Sequence, residues 1–225
     1  MKNKILVIVA HPDDEVLGCG GTIIKHSQNG DSIDLIVMSN GEDARINKKD
    51  IHKKIKQRYN ALEKSSKILG INNIYKFDLP DNKFDSLPLL EIVQKIEPLI
   101  IKLKPDIIYT HYFNDLNIDH SCVSKAINTI CRPSFLKKMP NKIYSFEILS
   151  NTELNFLDNQ FKPNYFVNIK KTFNLKLKAM KQYKQELKDY PNGRSLKGIE
   201  VLSNYRGLSA GFEHAEAFIL LKEIS

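Results

Sequence analysis

Two polar clusters in this chain hold the residue types that hydrolytic chemistry needs. The first is His11-Pro12-Asp13-Asp14-Glu15, and the second runs from His111 to His120 and reads H-Y-F-N-D-L-N-I-D-H. Each mixes imidazole with carboxylate, the composition of a divalent-metal site. Two imidazoles and one carboxylate, with a fourth position left open, suit catalytic zinc. Such a metal makes water a nucleophile near neutral pH, and a carboxylate that does not bind the metal must take the water's proton. Adjacent Asp13 and Asp14 can divide those roles, because neighbouring loop side chains point in different directions. Each cluster also has a plainer reading. Asp-Asp after a strand is a common helix N-cap, and Asp119-His120 fits an ordinary N-terminal helical turn.

The elements that must position these clusters follow from hydrophobic periodicity. Short aliphatic runs at residues 4–10, 32–38, 73–78, 106–110 and 142–149 read as strands, the first and fourth buried on both faces. Amphipathic segments at 17–28, 48–69, 89–103 and 121–130 read as the helices between them, with Asn29-Gly30 and Gly70 as stops. This alternation predicts an α/β, Rossmann-like fold with a mostly parallel sheet and helices on both faces. Beyond it lies a less regular C-terminal extension: a strand at 164–169, a helix at 170–188, a helix at 195–205 and a short strand at 217–221. No repeat or linker interrupts the chain, so residues 1–225 read as a single domain. In a sheet ordered 3-2-1-4-5, strands one and four are neighbours at the topological switch point. The loops after them diverge there and leave a ligand crevice. Both polar clusters directly follow those two strands, so segments a hundred residues apart are expected to meet in one pocket.

The segment A-H-P-D-D-E-V-L-G-C-G-G-T, residues 10–22, resembles the signature that opens the LmbE/PIG-L family of zinc-dependent N-acetylglucosaminyl deacetylases. D-L-N-I-D-H, residues 115–120, resembles that family's second motif, in the form of bacterial members associated with surface polysaccharides. The resemblance implies one Zn2+ per chain, other divalent metals being possible, held by His11, Asp14 and His120. It implies that Asp13 is the general base and that Asp119 orients an imidazole. Arg58 falls where the family has an arginine, which implies a contact to a substrate hydroxyl or phosphate. Two departures stand out. Many members have H-x-D-H where this chain has Asn117, and an asparagine amide donates hydrogen bonds but cannot shuttle a proton. The acid role then falls to Asp13, once it holds the water's proton, or to another histidine, with His111 the nearest; a structural hydrogen bond is the plainer role for His111. Ala61 replaces the glutamate usual three residues after Arg58.

Other features have bland readings. Gly18, Gly20 and Gly21 begin too late after the strand for a phosphate loop and suit close helix–sheet packing. Cys122 reads as a small buried residue, and His26, His52 and His214 as structural or exposed. Arg132, Arg194 and Arg206 are placed to border a cleft, with none singled out. The chain has 225 residues, a net charge of +8 and 42% hydrophobic residues. Lysines are spread along helix faces without a continuous basic stripe, so no nucleic-acid partner is expected, although the charge would attract an anionic substrate. The N-terminal apolar run is too short to insert in a membrane. Three cysteines without a C-x-x-C pair point to a reducing, cytoplasmic setting.

The expected substrate is therefore a small N-acylated sugar, a nucleotide-activated or surface-glycan precursor, cleaved to acetate and a free amine; a homo-oligomer is possible. The same chemistry on an N-acetylglucosaminyl-malate or -inositol conjugate, or on an N-formyl sugar, is the alternative. A non-hydrolytic Rossmann cofactor-binding domain explains the fold equally well, but it leaves both acid/His clusters unused and lacks its glycine fingerprint.

Overall fold

The first strand, β1 (Lys4–Val9), is aliphatic on both faces and lies at the centre of the sheet. In the computed structural model, which describes residues 2–44, 50–133, 138–156 and 160–225, seven strands form one sheet. With β2 (Ser32–Val37), β3 (Asn73–Lys76), β4 (Ile107–His111) and β5 (Lys142–Phe146), β1 makes a parallel unit ordered β3-β2-β1-β4-β5, as the sequence predicts.

The alternating side chains of these strands feed two cores. Ile5, Val7 and Val9 pack under α1 (Asp14–Gln28), α2 (Ile51–Leu69) and α5 (Phe173–Met180), with α6 (Leu196–Leu208) on the same face. Leu6 and Ile8 pack on the other face under α3 (Leu89–Leu103) and α4 (Ile118–Ile130). Each fully buried Leu or Ile contributes roughly 1.5–3 kcal/mol. Gly18 in α1 faces the Phe146 ring of β5 so closely that any Cβ there would overlap it. That close approach is the helix–sheet role expected of the glycine run.

The C-terminal extension is more ordered than its sequence suggests. β6 (Tyr165–Asn168) and β7 (Ala215–Glu223) extend the same sheet antiparallel, β7 pairing with β5 and β6 forming the edge. Buried Glu216 on β7 ties this extension to α1, which breaks from helical geometry at Cys19. Its carboxylate accepts from the N–H groups of Gly21 (2.8 Å) and Thr22 (2.7 Å) just past the break, and from Lys176 Nζ (2.6 Å). The broken helix thereby gains a charged cap for its second half.

The helix expected over 170–188 covers only Phe173–Met180. Residues 181–187 continue as turns closed by bonds such as Tyr183 N to the Met180 carbonyl (3.0 Å). Tyr183 in those turns reaches Glu15 of the first polar cluster, and Glu186 reaches Arg58 and Arg194. α4 starts three residues earlier than expected, so Asp119 and His120 lie in its first turn, while the expected start of α2 at residues 48–49 lies outside the described residues.

Candidate metal and catalytic site

The loops leaving the carboxyl ends of β1 and β4 meet above the sheet, as the switch-point argument requires. His11 follows β1, and His120 comes from the first turn of α4, where the Asn117 side chain caps the helix by accepting from Asp119 N at 2.9 Å. Asp14 lies between the two imidazoles. Its Oδ2 is 3.4 Å from His11 Nδ1 and 3.3 Å from His120 Nε2, and all three side chains are buried. One ligand atom from each falls within 4.8 Å of the others. Asp14 Oδ1 and His120 Nε2 have no hydrogen-bond partner, although buried polar atoms nearly always have one. Orphaned atoms on a carboxylate and an imidazole of one buried trio are what a divalent cation would satisfy.

Each imidazole is held from behind by a carboxylate. His11 Nε2 is 2.9 Å from Asp119 Oδ2 and 3.2 Å from Asp81 Oδ1. Asp119 is fixed in turn by the N–H groups of Asn82 (2.7 Å) and Phe84 (3.0 Å). A proton on Nε2, where both carboxylates can accept it, leaves the Nδ1 lone pair facing Asp14. His120 Nδ1 is 3.1 Å from Asp115 Oδ1, and Thr152 Oγ1 donates to the other Asp115 oxygen. The carboxylates make the site electronegative. Burial alone would lower the pKa of His120, but the charge of Asp14 and the contact with Asp115 outweigh it and lift the imidazole to about 9. His11 is likewise raised, its burial outweighed by Asp119, Asp14 and Asp81. A bound cation would supply that positive charge in place of protons.

Asp13 is fully buried and has φ 107°, a strained backbone for a non-glycine residue. It makes no side-chain cap bond to α1, so the helix-cap reading fails for it. One oxygen, Oδ2, is 2.9 Å from Arg194 Nη1 and 3.5 Å from Arg58 Nη2, while Oδ1 has no hydrogen-bond partner. Burial raises its pKa against the two arginines, which lower it. Beneath it, Glu15 accepts from Asp13 N (3.0 Å) and from Tyr183 Oη (2.6 Å), and burial pushes the Glu15 carboxyl up to about 7.

The remaining expected residues take definite places. His111 lies fully buried below the site, stacked on His120 at 3.9 Å, and its Nε2 accepts from Ala10 N at 2.9 Å. Burial, reinforced by the charge of His120, holds its pKa well below the usual value. Arg58, expected as a substrate contact, lines the cleft over the site and also braces the protein. It is 4% exposed, donates to the Pro12 carbonyl from Nε (3.2 Å) and Nη2 (2.8 Å), and pairs with Glu186. It thus braces the loop that carries Asp13. Asn117 caps its helix and donates to Asn82 Oδ1 at 3.3 Å. Over the site opens a cleft of about 250 Å³, bordered by His11, Asp81, Asn82, Asn117 and Arg194 among others.

Two residues of this centre were not read from the sequence. Asp115 stands in the quoted second motif, and its place five residues before His120 was the available signal. Asp81 sits in an ordinary turn sequence, so only the fold brings it in. Arg194, expected with Arg132 and Arg206 to border a cleft, does so, and the fold singles it out by setting it against Asp13, 181 positions earlier.

A family model described as GlcNAc-PI de-N-acetylase, PIG-L, matches residues 6–131. The Uncharacterized deacetylase YaiS of Escherichia coli K12 is 32% identical over 189 residues, covering 81% of this chain and 91% of that protein. The Diacetylchitobiose deacetylase of Thermococcus kodakarensis is 25% identical over 225 residues, covering 95% of this chain and 81% of that protein. Among solved structures, the N,N'-diacetylchitobiose deacetylase from Pyrococcus horikoshii superposes with a TM-score of 0.80 at 22% identity, covering 97% of this chain and 84% of that one. The matched family region begins on the strand that delivers His11 and ends just past the helix that carries His120, and this chain belongs to the PIG-L (LmbE-like) deacetylase family.

Proposed function

We propose that this protein hydrolyses the N-acetyl group of an amino sugar, with one zinc ion held by His11, Asp14 and His120 and with Asp13 as general base. The observation that carries the proposal is the buried His11, Asp14 and His120 trio, with Asp14 Oδ1 and His120 Nε2 unpartnered, beside a strained, buried Asp13 whose Oδ1 is also unpartnered. When bound, the metal would act as a Lewis acid on the amide carbonyl and make water acidic enough to attack near neutral pH.

The chain's own groups do the rest. Asp13 Oδ1 takes the proton of the attacking water, while Arg194 and Arg58 hold Oδ2 in place. The C–N bond breaks, and the same carboxyl returns the proton to the leaving nitrogen, giving acetate and a free amine. Asn117 cannot carry a proton, and His111 is fully buried with its Nε2 committed, which leaves Asp13 for both transfers. Asp119, Asp81 and Asp115 fix the imidazoles so that the ligand atoms are already arranged.

The sugar assignment is supported by the names of the relatives and by a small cleft rimmed with amide, carboxylate and guanidinium groups, which suit hydroxyls. No described helix is long and apolar enough to cross a membrane. Three free, buried cysteines support a cytoplasmic setting.

The test pairs metal content with amine release from N-acetylated sugars. Wild type is expected to hold about one zinc per chain and to release amine. His120→Ala should lose both metal and activity. Asp13→Asn should keep the metal and lose roughly 10²–10⁴-fold in rate. A metal-free but fully active wild type would overturn the proposal.

A further inference from the structure

A cavity of about 470 Å³, roomier than the metal cleft, opens at the opposite end of the sheet. It lies beside Ile107 and Lys142, the first residues of β4 and β5, whereas the metal site sits beyond the strands' carboxyl ends. Its wall is aromatic. Tyr109 stacks on Tyr144 with ring centroids 5.1 Å apart, and Tyr144 meets Tyr165 at 4.7 Å. Tyr165 and Phe212 are 38% and 37% exposed and present ring surface to an entering molecule.

Polar groups in the cavity are fixed in advance. His26 Nε2 is 3.0 Å from Tyr109 Oη, and its Nδ1 is 2.6 Å from Asp31 Oδ2. Asn3, Asn29 and Asn168 add amide groups at the rim. The charged groups are already engaged: Lys142 with Glu223 at 2.8 Å, Lys25 with the Asn168 carbonyl at 3.5 Å, and Asp31 with His26.

We infer that this groove is a second binding site, specific for a neutral saccharide unit, that holds a glycan without reacting with it. A sugar ring has an apolar C–H face to lie on Tyr165 and Phe212 and a rim of hydroxyls to pair with asparagine amides. Lys142 is paired with Glu223 and Lys25 reaches only the neutral Asn168 carbonyl, so inorganic phosphate is the competing probe, and its binding in place of the sugar overturns the choice of ligand. The choice of a sugar rests on the proposed function; binding in the groove does not depend on the reaction.

The sequence has nine tyrosines and no tryptophan, so tyrosine difference absorbance reads this groove without interference from indole. The zinc-loaded Asp13→Asn chain is titrated with N,N'-diacetylchitobiose, alone and with Tyr165→Ala or Phe212→Ala added. The expected result is a saturable tyrosine signal whose apparent affinity falls about tenfold with either addition. In the otherwise wild-type chain, Tyr165→Ala should leave kcat for amine release from the same sugar unchanged. Both rings are exposed, so neither truncation threatens folding. A signal unchanged by both truncations, or no signal, overturns the groove. So does a dimer that Tyr165→Ala dissolves while sugar has no effect, since a second copy of the chain would then be the occupant. Amine release without a Tyr165-dependent signal defeats the groove and leaves the reaction standing. A Tyr165-dependent signal without amine release does the reverse.

Discussion

Asp119→Asn tests the claim that the carboxylates behind the imidazoles arrange the metal ligands. Asp119 accepts from three directions: His11 Nε2 at 2.9 Å, Asn82 N at 2.7 Å and Phe84 N at 3.0 Å. An asparagine of the same shape has one accepting oxygen and an amide nitrogen that faces a donor. At least one of the three bonds is therefore lost. Loss of such an orienting partner costs roughly 10–100-fold in metal affinity, or about 1.4–2.8 kcal/mol. His11 keeps a second carboxylate, Asp81 at 3.2 Å, so the single change belongs near the tenfold end. Asp119→Asn with Asp81→Asn leaves Nε2 without a charged partner and should reach the hundredfold end. Zinc dissociation constants from chelator competition measure both, with urea unfolding of the metal-free proteins alongside to separate the cost of the orphaned loop N–H groups, about 1–3 kcal/mol. Wild-type zinc affinity in the double variant would refute the reasoning, because the imidazoles would then need no orientation from behind.

Three further outcomes follow from the geometry. Arg58→Met strips the Pro12 carbonyl and the Glu186 carboxylate of a buried cationic partner, and should cost about 3–5 kcal/mol in urea unfolding. An unchanged KM would mark Arg58 as a brace alone, and a raised KM as a substrate contact too. Gly18→Ala drives a methyl into Phe146 and should cost about 1–3 kcal/mol, recovered in part by Phe146→Leu. Burial alone would raise the pKa of Asp31, but hydrogen bonds from His26 and Asn3 outweigh it and hold the carboxyl below 3.8. A depressed carboxyl stabilises the fold fully above its unfolded value and loses that contribution as pH falls through the folded one. Asp31→Asn should therefore flatten the acid limb of thermal stability below about pH 4.

The sequence by itself determined the parallel half of the sheet. β1 is aliphatic on both faces and β4 (Ile-Ile-Tyr-Thr-His) is buried along nearly all its length, patterns that fit central parallel strands, and the order 3-2-1-4-5 then brought His11 and His120 to one switch point. That the two polar clusters share one pocket was legible because each follows the end of a central strand; which of their residues would hold a metal came from the family resemblance. The antiparallel β7-β6 edge was not legible as part of the sheet. Pairing across a long connection is set by which edge remains open, and periodicity does not report that. The helix expected over 170–188 failed for a related reason: Tyr183 and Glu186 do more for the fold by reaching Glu15 and Arg58 than by continuing a helical stripe.

Only the tertiary structure gave Arg58 its bracing role, set Arg194 against Asp13, and brought in Asp81 and the tyrosine groove. A guanidinium's partner depends on what is buried beside it, and a charge with no local partner in sequence finds one through the chain's long-range closure. Local sequence thus decides which atoms can do chemistry; packing decides which of them are held, which are orphaned and which face the substrate.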